Sequence, residues 1–279
     1  MENIILPVLF AGVGNKLGSL FSGLVLSRRL NKKLLILNVN SNVGNLDLNS
    51  IFEFNYPIKN FTSFKEIDDI IDLSFPIFTT KSFDFKRKCI PYESFDNLKS
   101  PDSFLYLCHK AMDMSPNNLN IFLNTFKIKS DITSKINEFA NAHGLNKNVY
   151  GLHIRASDFP ERNNNIERAR KFIELNQNKK ILICTDEKQV EEDLSIYKNV
   201  IFRQKNSYTE KLNTNINWNA QYFDQKYNST NYNSLRDNQC SVDAFIDMIL
   251  LSKTNLSGNI NSGSTFYKWC EHFSNVNIN

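Results

Sequence analysis

The chain reads as an α/β protein with parallel sheets, and two stretches predict it. Residues 4–39 run as an apolar strand, a glycine-rich turn, a helix and a second apolar strand. That is the order and, at about 35 residues, the length of a βαβ unit. The second half repeats the rhythm: apolar runs at 149–154 and 180–184 each turn polar and give way to a helix. A buried strand ends this way where its carboxyl end opens onto a crevice, the place where an open α/β sheet binds its ligand.

Composition narrows the class. A chain of 279 residues suits one large domain or two of about 100–150 residues each. Charged residues at 22% and hydrophobic ones at 41% mark an ordinary globular protein. The net charge of +4 is spread along the chain, so it permits an anionic ligand but forms no basic stripe for nucleic acid. The cysteines, Cys89, Cys108, Cys184, Cys240 and Cys270, include no C-x-x-C pair, so neither a zinc site nor a disulfide framework is indicated. With no basic leader and an opening apolar run too short to span a bilayer, the expected location is cytoplasmic.

In order, residues 4–11 are the first strand, and Pro7 predicts that it is an edge strand or a broken one. Gly12-Val-Gly14-Asn15-Lys-Leu-Gly18 is the turn, and Leu17, Leu20, Phe21, Leu24 and Arg28 then recur at helical spacing. Its G-x-G-x-x-x-G spacing departs from a dinucleotide fingerprint, and the next strand, 33–39, leads to Asn38 and Asn40 rather than to an acid for the ribose. Asn15 either bonds its own turn or reaches a ligand. From 45 to 129 aromatics are dense without sustained periodicity, as in core or in a sugar-acceptor site. Residues 130–141 form an amphipathic helix capped by Ser130 or Asp131 and stopped at Gly144, and the domain boundary falls near 145. Then come a strand at 149–154, a helix at 166–176, a strand at 180–186, a helix from 189 and a short strand at 200–202. Residues 206–233 are polar and read as a long loop. A strong helix spans 241–252, with Val242, Phe245, Ile246, Ile249 and Leu250 on one side and Asp243 and Asp247 on the other. Asn255 to Gly258 is a short strand or turn, and the last helix spans 265–273.

Parallel strands gather their carboxyl ends on one edge, here bringing Arg155, Asp158, Thr185, Asp186 and the Ser262-Gly-Ser264-Thr265 turn together. An arginine cannot lose its proton and needs an anionic partner. Arg155 either pairs with Asp158 at the strand end or holds a ligand phosphate, with Asp158 orienting the groups around it. A Ser/Thr turn at a helix N-terminus offers N–H groups and hydroxyls to an anion, or simply caps the helix. A single carboxylate cannot hold a metal, so Asp186 is assigned hydrogen bonds to a nucleotide base or ribose.

His153-Ile-Arg155-Ala-Ser-Asp158 resembles the His-x-Arg-x-x-Asp motif of the fucosyltransferase superfamily of GDP-fucose enzymes. The resemblance extends in order through Gly12-Val-Gly14-Asn15, Cys184-Thr-Asp-Glu187, and the helix 243–253 running into Ser262-Gly-Ser264-Thr265-Phe266. It covers 8–40 and 149–270 in patches and leaves the middle unmatched. It implies a GT-B-like architecture of two Rossmann-type domains with a cleft between them: 1–145 on the acceptor side, 146–279 binding the nucleotide sugar. It further implies metal-independent transfer with inversion and no cofactor beyond the GDP-sugar donor. In that scheme His153 and Asp186 contact guanine, Arg155 the β-phosphate, Ser264 and Thr265 the diphosphate, while Gly14 and Asn15 face donor sugar or phosphate; Thr185 and Ser262 complete the binding set. Where α-1,6 relatives have two adjacent arginines, Ala156 follows Arg155; where the α-1,2 type often has glycine before the Asp, Ser157 stands.

The chemistry expected is sugar transfer in which Arg155 and the Ser264/Thr265 turn stabilise the departing nucleoside diphosphate. Asp158 and Glu161 are the nearest carboxylates to serve as base. Expected partners are a nucleotide-sugar donor and a glycan acceptor, with peripheral membrane proximity allowed and nucleic acid excluded. Alternatives are a GDP-sugar- or glycan-binding protein without transferase activity, a transferase for another GDP-sugar, and, disfavoured by the missing ribose acid, an NAD-linked enzyme.

Overall fold

The computed structural model describes residues 4–40, 44–72, 74–79, 88–91, 102–108, 111–157, 162–217, 231–256, 264–276 and 278. Along the chain, β1 (Ile4–Leu9), α1 (Val13–Leu30), β2 (Lys33–Leu34) and β3 (Ile36–Val39) form the opening unit. Then come β4 (Phe52–Glu53), β5 (Ile58–Phe61), α2 (Phe64–Ile70), β6 (Ile77–Thr79), β7 (Cys89–Pro91), β8 (Phe104–Leu107) and α3 (Pro116–Thr125). The rest comprises β9 (Lys127–Ile128), α4 (Ser130–His143), β10 (Tyr150–Ile154), α5 (Arg162–Leu175), β11 (Ile181–Thr185), α6 (Lys188–Leu194) and β12 (Val200–Ile201). Last are β13 (Glu210–Asn217), β14 (Asn231–Leu235), α7 (Asn238–Ser252) and α8 (Thr265–Phe273). Among the described residues no helix is long and apolar enough to cross a membrane.

Two compact units result: Met1–Asn45, Phe54–Phe126 and Asn217–Thr230 in the first, and Leu46–Glu53, Lys127–Ile216 and Asn231–Asn279 in the second. The chain changes unit after Phe126 rather than near 145, because α4 packs on α7 and buries Ile132, Ile136 and Ala140. The cap of α4 also differs from expectation: Lys129 holds the N-cap position without a side-chain bond, while Gly144 closes the helix at φ 63°.

The first unit carries a parallel sheet in the order β5-β3-β1-β8-β6-β7, with β2 also beside β1. β1 is therefore central, not an edge strand. Pro7 is accommodated because its neighbour on one side is interrupted: β2 pairs Ile4 and Ile5, and β3 takes over at Val8 and Leu9. In a parallel strand residues two apart face the same neighbour. The Ile5 carbonyl accepts from Leu35 N, so Pro7, which has no N–H, faces that same gap. Gly23 of α1 lies over the proline ring, where an added Cβ would meet Pro7 Cβ and Cγ at 2.7 Å.

The second unit has a parallel sheet, β10-β11-β12, and Asn255 bridges to Tyr150 on the free side of β10. Leu152 and Ile154 face one way and pack with Ile181 and Ile183 against Ala169 and Ile173 of α5 and Val190 and Leu194 of α6. The opposite face meets α7, whose Asp247 carbonyl accepts from the Cys184 thiol at 4.0 Å. Helices thus cover both faces, which is why these strands are continuously apolar. Two expectations need correction here. Asp243 and Asp247, assigned to the polar side of α7, are 1% and 3% exposed. The stretch 206–233, read as a loop, holds strand β13 and the start of β14, which pair with each other; their Asn-rich, mostly polar sequence conceals the ribbon.

Candidate functional site

The register of β10 and β11 sets Ile154 beside Thr185, so Arg155 and Asp186 leave the sheet together. Asp186 then ties the two ends. Its Oδ1 accepts from the backbone N–H groups of Ala156 at 2.9 Å and Ser157 at 3.2 Å, and its Oδ2 from the Ser157 hydroxyl. Hydrogen bonds to an ionised group contribute about 1.5–3 kcal/mol each, so this carboxylate fixes the turn that carries Arg155. Arg155 is half-buried, and its carbonyl accepts from Asn165 Nδ2 at 3.2 Å, which fastens the same turn to α5.

His153 precedes that turn on the α7 side. Its ring stacks on Phe266 with centroids 4.1 Å apart and planes at 17°, joining β10 to the first turn of α8. Burial pushes its pKa from 6.5 down to about 4, against the pull of the Asp186 carboxylate, so the imidazole is neutral near pH 7. Ser264 is the N-cap of α8, its Oγ accepting from Tyr267 N at 3.1 Å, and Thr265 opens the helix. The bland role foreseen for the Ser/Thr turn, helix capping, is therefore met by Ser264. Thr185 is buried, with Oγ1 accepting from Glu187 N at 3.3 Å. Asp158, Glu161 and Ser262 lie outside the described residues.

Gly14 and Asn15 belong to the first unit. The turn at the end of β1 is made by Ala11, at φ 60°, and Gly12, the N-cap, so Gly14 and Asn15 are already in the first turn of α1. Asn15 Oδ1 is buried and accepts no hydrogen bond. Lys16, next in line, is fully buried, and its Nζ donates to Asn38 Oδ1, the Val39 carbonyl and Asn40 Oδ1. The asparagines read as a missing ribose acid are thus partners of a buried lysine.

Sequence reasoning missed the charges behind the second unit's edge. Lys205 Nζ reaches the Thr185 carbonyl, Asp247 Oδ2 at 3.0 Å and Glu191 Oε1 at 3.3 Å. Burial opposes its charge, yet the anionic neighbours, Asp247 foremost, outweigh it and raise its pKa. Arg203 donates to Asp247 at 2.9 Å and Asp243 at 2.8 Å. Asp243 also accepts from Asn206 N and Ser207 N, and Thr209 N donates to the Asp186 carbonyl at 3.1 Å. Segment 203–209 thus grips both carbonyls at the end of β11. The one available signal was spacing: Asp243 and Asp247, four apart on a helix, present two carboxylates in a row, and Arg203 and Lys205 match them two apart. Arg236 was also missed; its Nη2 lies 3.3 Å from both Asp186 Oδ2 and Ser157 Oγ.

No protein-family model matches the chain, and no curated protein matches it closely enough to count as a relative. Solved structures do. The fold is that of GDP-fucose fucosyltransferases, GT-B-like and mixed α/β with parallel sheets. NodZ alpha-1,6-fucosyltransferase soaked with GDP-fucose superposes with a TM-score of 0.55 at 15% identity, covering 98% of this chain and 93% of that one. The NodZ fucosyltransferase from Bradyrhizobium gives 0.55 at 14% identity over 97% and 92%. A mutant of Arabidopsis thaliana FUT1 in complex with GDP gives 0.54 at 11% identity, over 98% of this chain and 68% of that one.

Proposed function

We propose that this chain is an inverting, metal-independent glycosyltransferase that takes fucose from GDP-fucose and passes it to a glycan acceptor. One observation carries the reading: the joined ends of β10 and β11 hold Arg155 on a clamped turn, and the His153–Phe266 stack brings the first turn of α8 to the same strand. The fold likeness to proteins solved with GDP or GDP-fucose supports it.

As the sugar–phosphate bond breaks, the electron pair stays with the departing GDP and positive charge grows on the sugar ring. A preorganised guanidinium stabilises that leaving group because it need not reorient during the step. In this reading Arg155 holds the β-phosphate, Ser264 and Thr265 offer the start of α8 to the diphosphate, and neutral His153 faces guanine. Asp186 acts through the turn it clamps and faces the base or ribose. Asn15 and Gly14 are assigned to the donor sugar or phosphate, Asp158 or Glu161 takes the acceptor proton, and the protein works in the cytoplasm. Ala156, standing where α-1,6 relatives have a second arginine, favours a rival: a GDP-sugar-binding protein without transfer.

Thermal unfolding with GDP, UDP and ADP tests the nucleotide. Saturation at 100 times the dissociation constant adds about 2.7 kcal/mol, and GDP is expected to shift the melt more than the others. Equal shifts from all three remove the guanine assignment. Release of GDP from GDP-fucose, with and without glycan acceptors, separates a transferase from a binding protein.

A further inference from the structure

We propose that Arg236 is a second cationic ligand of the donor diphosphate, acting on the same turn from outside the His153–Asp158 motif; this rests on the donor-binding reading above. Arg236 stands just ahead of α7, and the backbone after it is fixed. Asp237 caps α7, its Oδ1 accepting from Cys240 N at 2.6 Å, and its Oδ2 accepts from Ser207 Oγ at 3.0 Å. Asn238 Oδ1 accepts from Asp47 N at 2.8 Å, and its Nδ2 donates to Ser50 Oγ at 2.8 Å. A long side chain thus leaves a rigid root and ends at Ser157, the neighbour of Ala156. The charge that Ala156 does not supply in sequence is supplied at the same turn in space.

Its geometry differs from that of the structural arginines in this unit. Arg162 grips Glu187 through Nε at 2.9 and 3.0 Å, and Arg203 meets Asp247 and Asp243 at 2.9 and 2.8 Å. Arg236 Nη2 meets Asp186 Oδ2 and Ser157 Oγ at 3.3 Å each, near the limit of a useful bond. Nor is Asp186 stranded if that contact is exchanged for a phosphate oxygen, because it keeps two backbone N–H groups and the Ser157 hydroxyl. A guanidinium binds phosphate oxygens in a two-pronged, charge-assisted way that rewards the exchange.

The test is calorimetric titration of GDP, inorganic pyrophosphate and guanosine into wild type, Arg236→Met and Arg236→Lys, with thermal melts of the unliganded proteins. In Arg236→Met, GDP and pyrophosphate affinity is expected to fall about tenfold or more, the scale of one lost charge-assisted contact. Guanosine affinity and the unliganded melting temperature stay near wild type, and Arg236→Lys falls between. Unchanged GDP and pyrophosphate affinity in Arg236→Met, with wild type binding both, overturns this inference and leaves the donor reading standing. Equal weakening of guanosine and GDP also overturns it, since that is what a mere anchor of Asp186 produces. Should the Met variant fail to fold, a wild-type ratio of GDP to guanosine affinity in Arg236→Lys overturns it instead. Wild type binding neither GDP nor pyrophosphate defeats the donor reading, and this inference with it.

Discussion

Arg155 decides the site at the scale of single residues. If it serves only as a strand-end ion pair with Asp158, Arg155→Lys is mild and Arg155→Ala chiefly lowers stability. If it holds the β-phosphate, lysine lacks the two-pronged contact, and turnover falls by about 10²-fold or more, the scale of losing one transition-state donor. The phosphate role predicts the second outcome, with the fold intact by circular dichroism and GDP binding weakened; near-normal turnover in Arg155→Ala defeats it. His153 gives a pH signature. Its pKa falls from 6.5 to about 4 on folding, so between those values the unfolded chain binds the extra proton. Its contribution to stability is therefore full above pH 6.5 and is lost as pH falls toward 4. His153→Gln should flatten the acid limb of a stability–pH curve measured by urea unfolding; an unchanged limb contradicts the burial. Both residues were legible because alternation along one short strand put them on one face. Arg236 was not, since it sits between a polar ribbon and a helix cap and reaches the turn only through tertiary pairing.

Elements that bury charge were harder to read than elements that bury hydrocarbon. Helical spacing located α7, but the rule that acids face water put Asp243 and Asp247 on the wrong side. Their burial is sustained by Arg203 and Lys205, whose segment has no periodicity of its own. Removing one partner of a buried pair strands the other, at a cost of about 3–5 kcal/mol. Asp247→Ala should destabilise on that scale in urea unfolding, and a change below about 1 kcal/mol, the range of exposed pairs, shows the network to be dispensable. In the first unit, Gly23→Ala presses a Cβ to within 2.7 Å of the Pro7 ring, in a helix where alanine is otherwise preferred. Packing should win by about 1–3 kcal/mol, and a stabilised Gly23→Ala protein contradicts the close approach. Pro7 signalled an irregularity in the pairing of β1, but β1 is neither at an edge nor broken, and the neighbour's interruption at Leu35 is invisible from β1 itself.

For the whole molecule, the strand–helix alternation at both ends gave the fold class, whereas the middle hid strands only three or four residues long among aromatics, too short for any period to show. The carboxylates that the fold draws to the second unit's edge bear on a last prediction. Asp186 is met by two N–H groups, a hydroxyl and Arg236; Glu187 by Arg162; Asp243 and Asp247 by Arg203 and Lys205. A divalent ion in this place needs several oxygen ligands, and recruiting these described carboxylates dismantles contacts that hold the strand ends. Arginine instead carries positive charge at every accessible pH and needs no loading. GDP affinity and release of GDP from GDP-fucose should therefore survive EDTA, and added magnesium or manganese should change either by less than about twofold, well under the tenfold that 1.4 kcal/mol represents. Activity abolished by EDTA and restored by manganese assigns the leaving-group charge to a metal, and Arg155 then loses the role proposed for it.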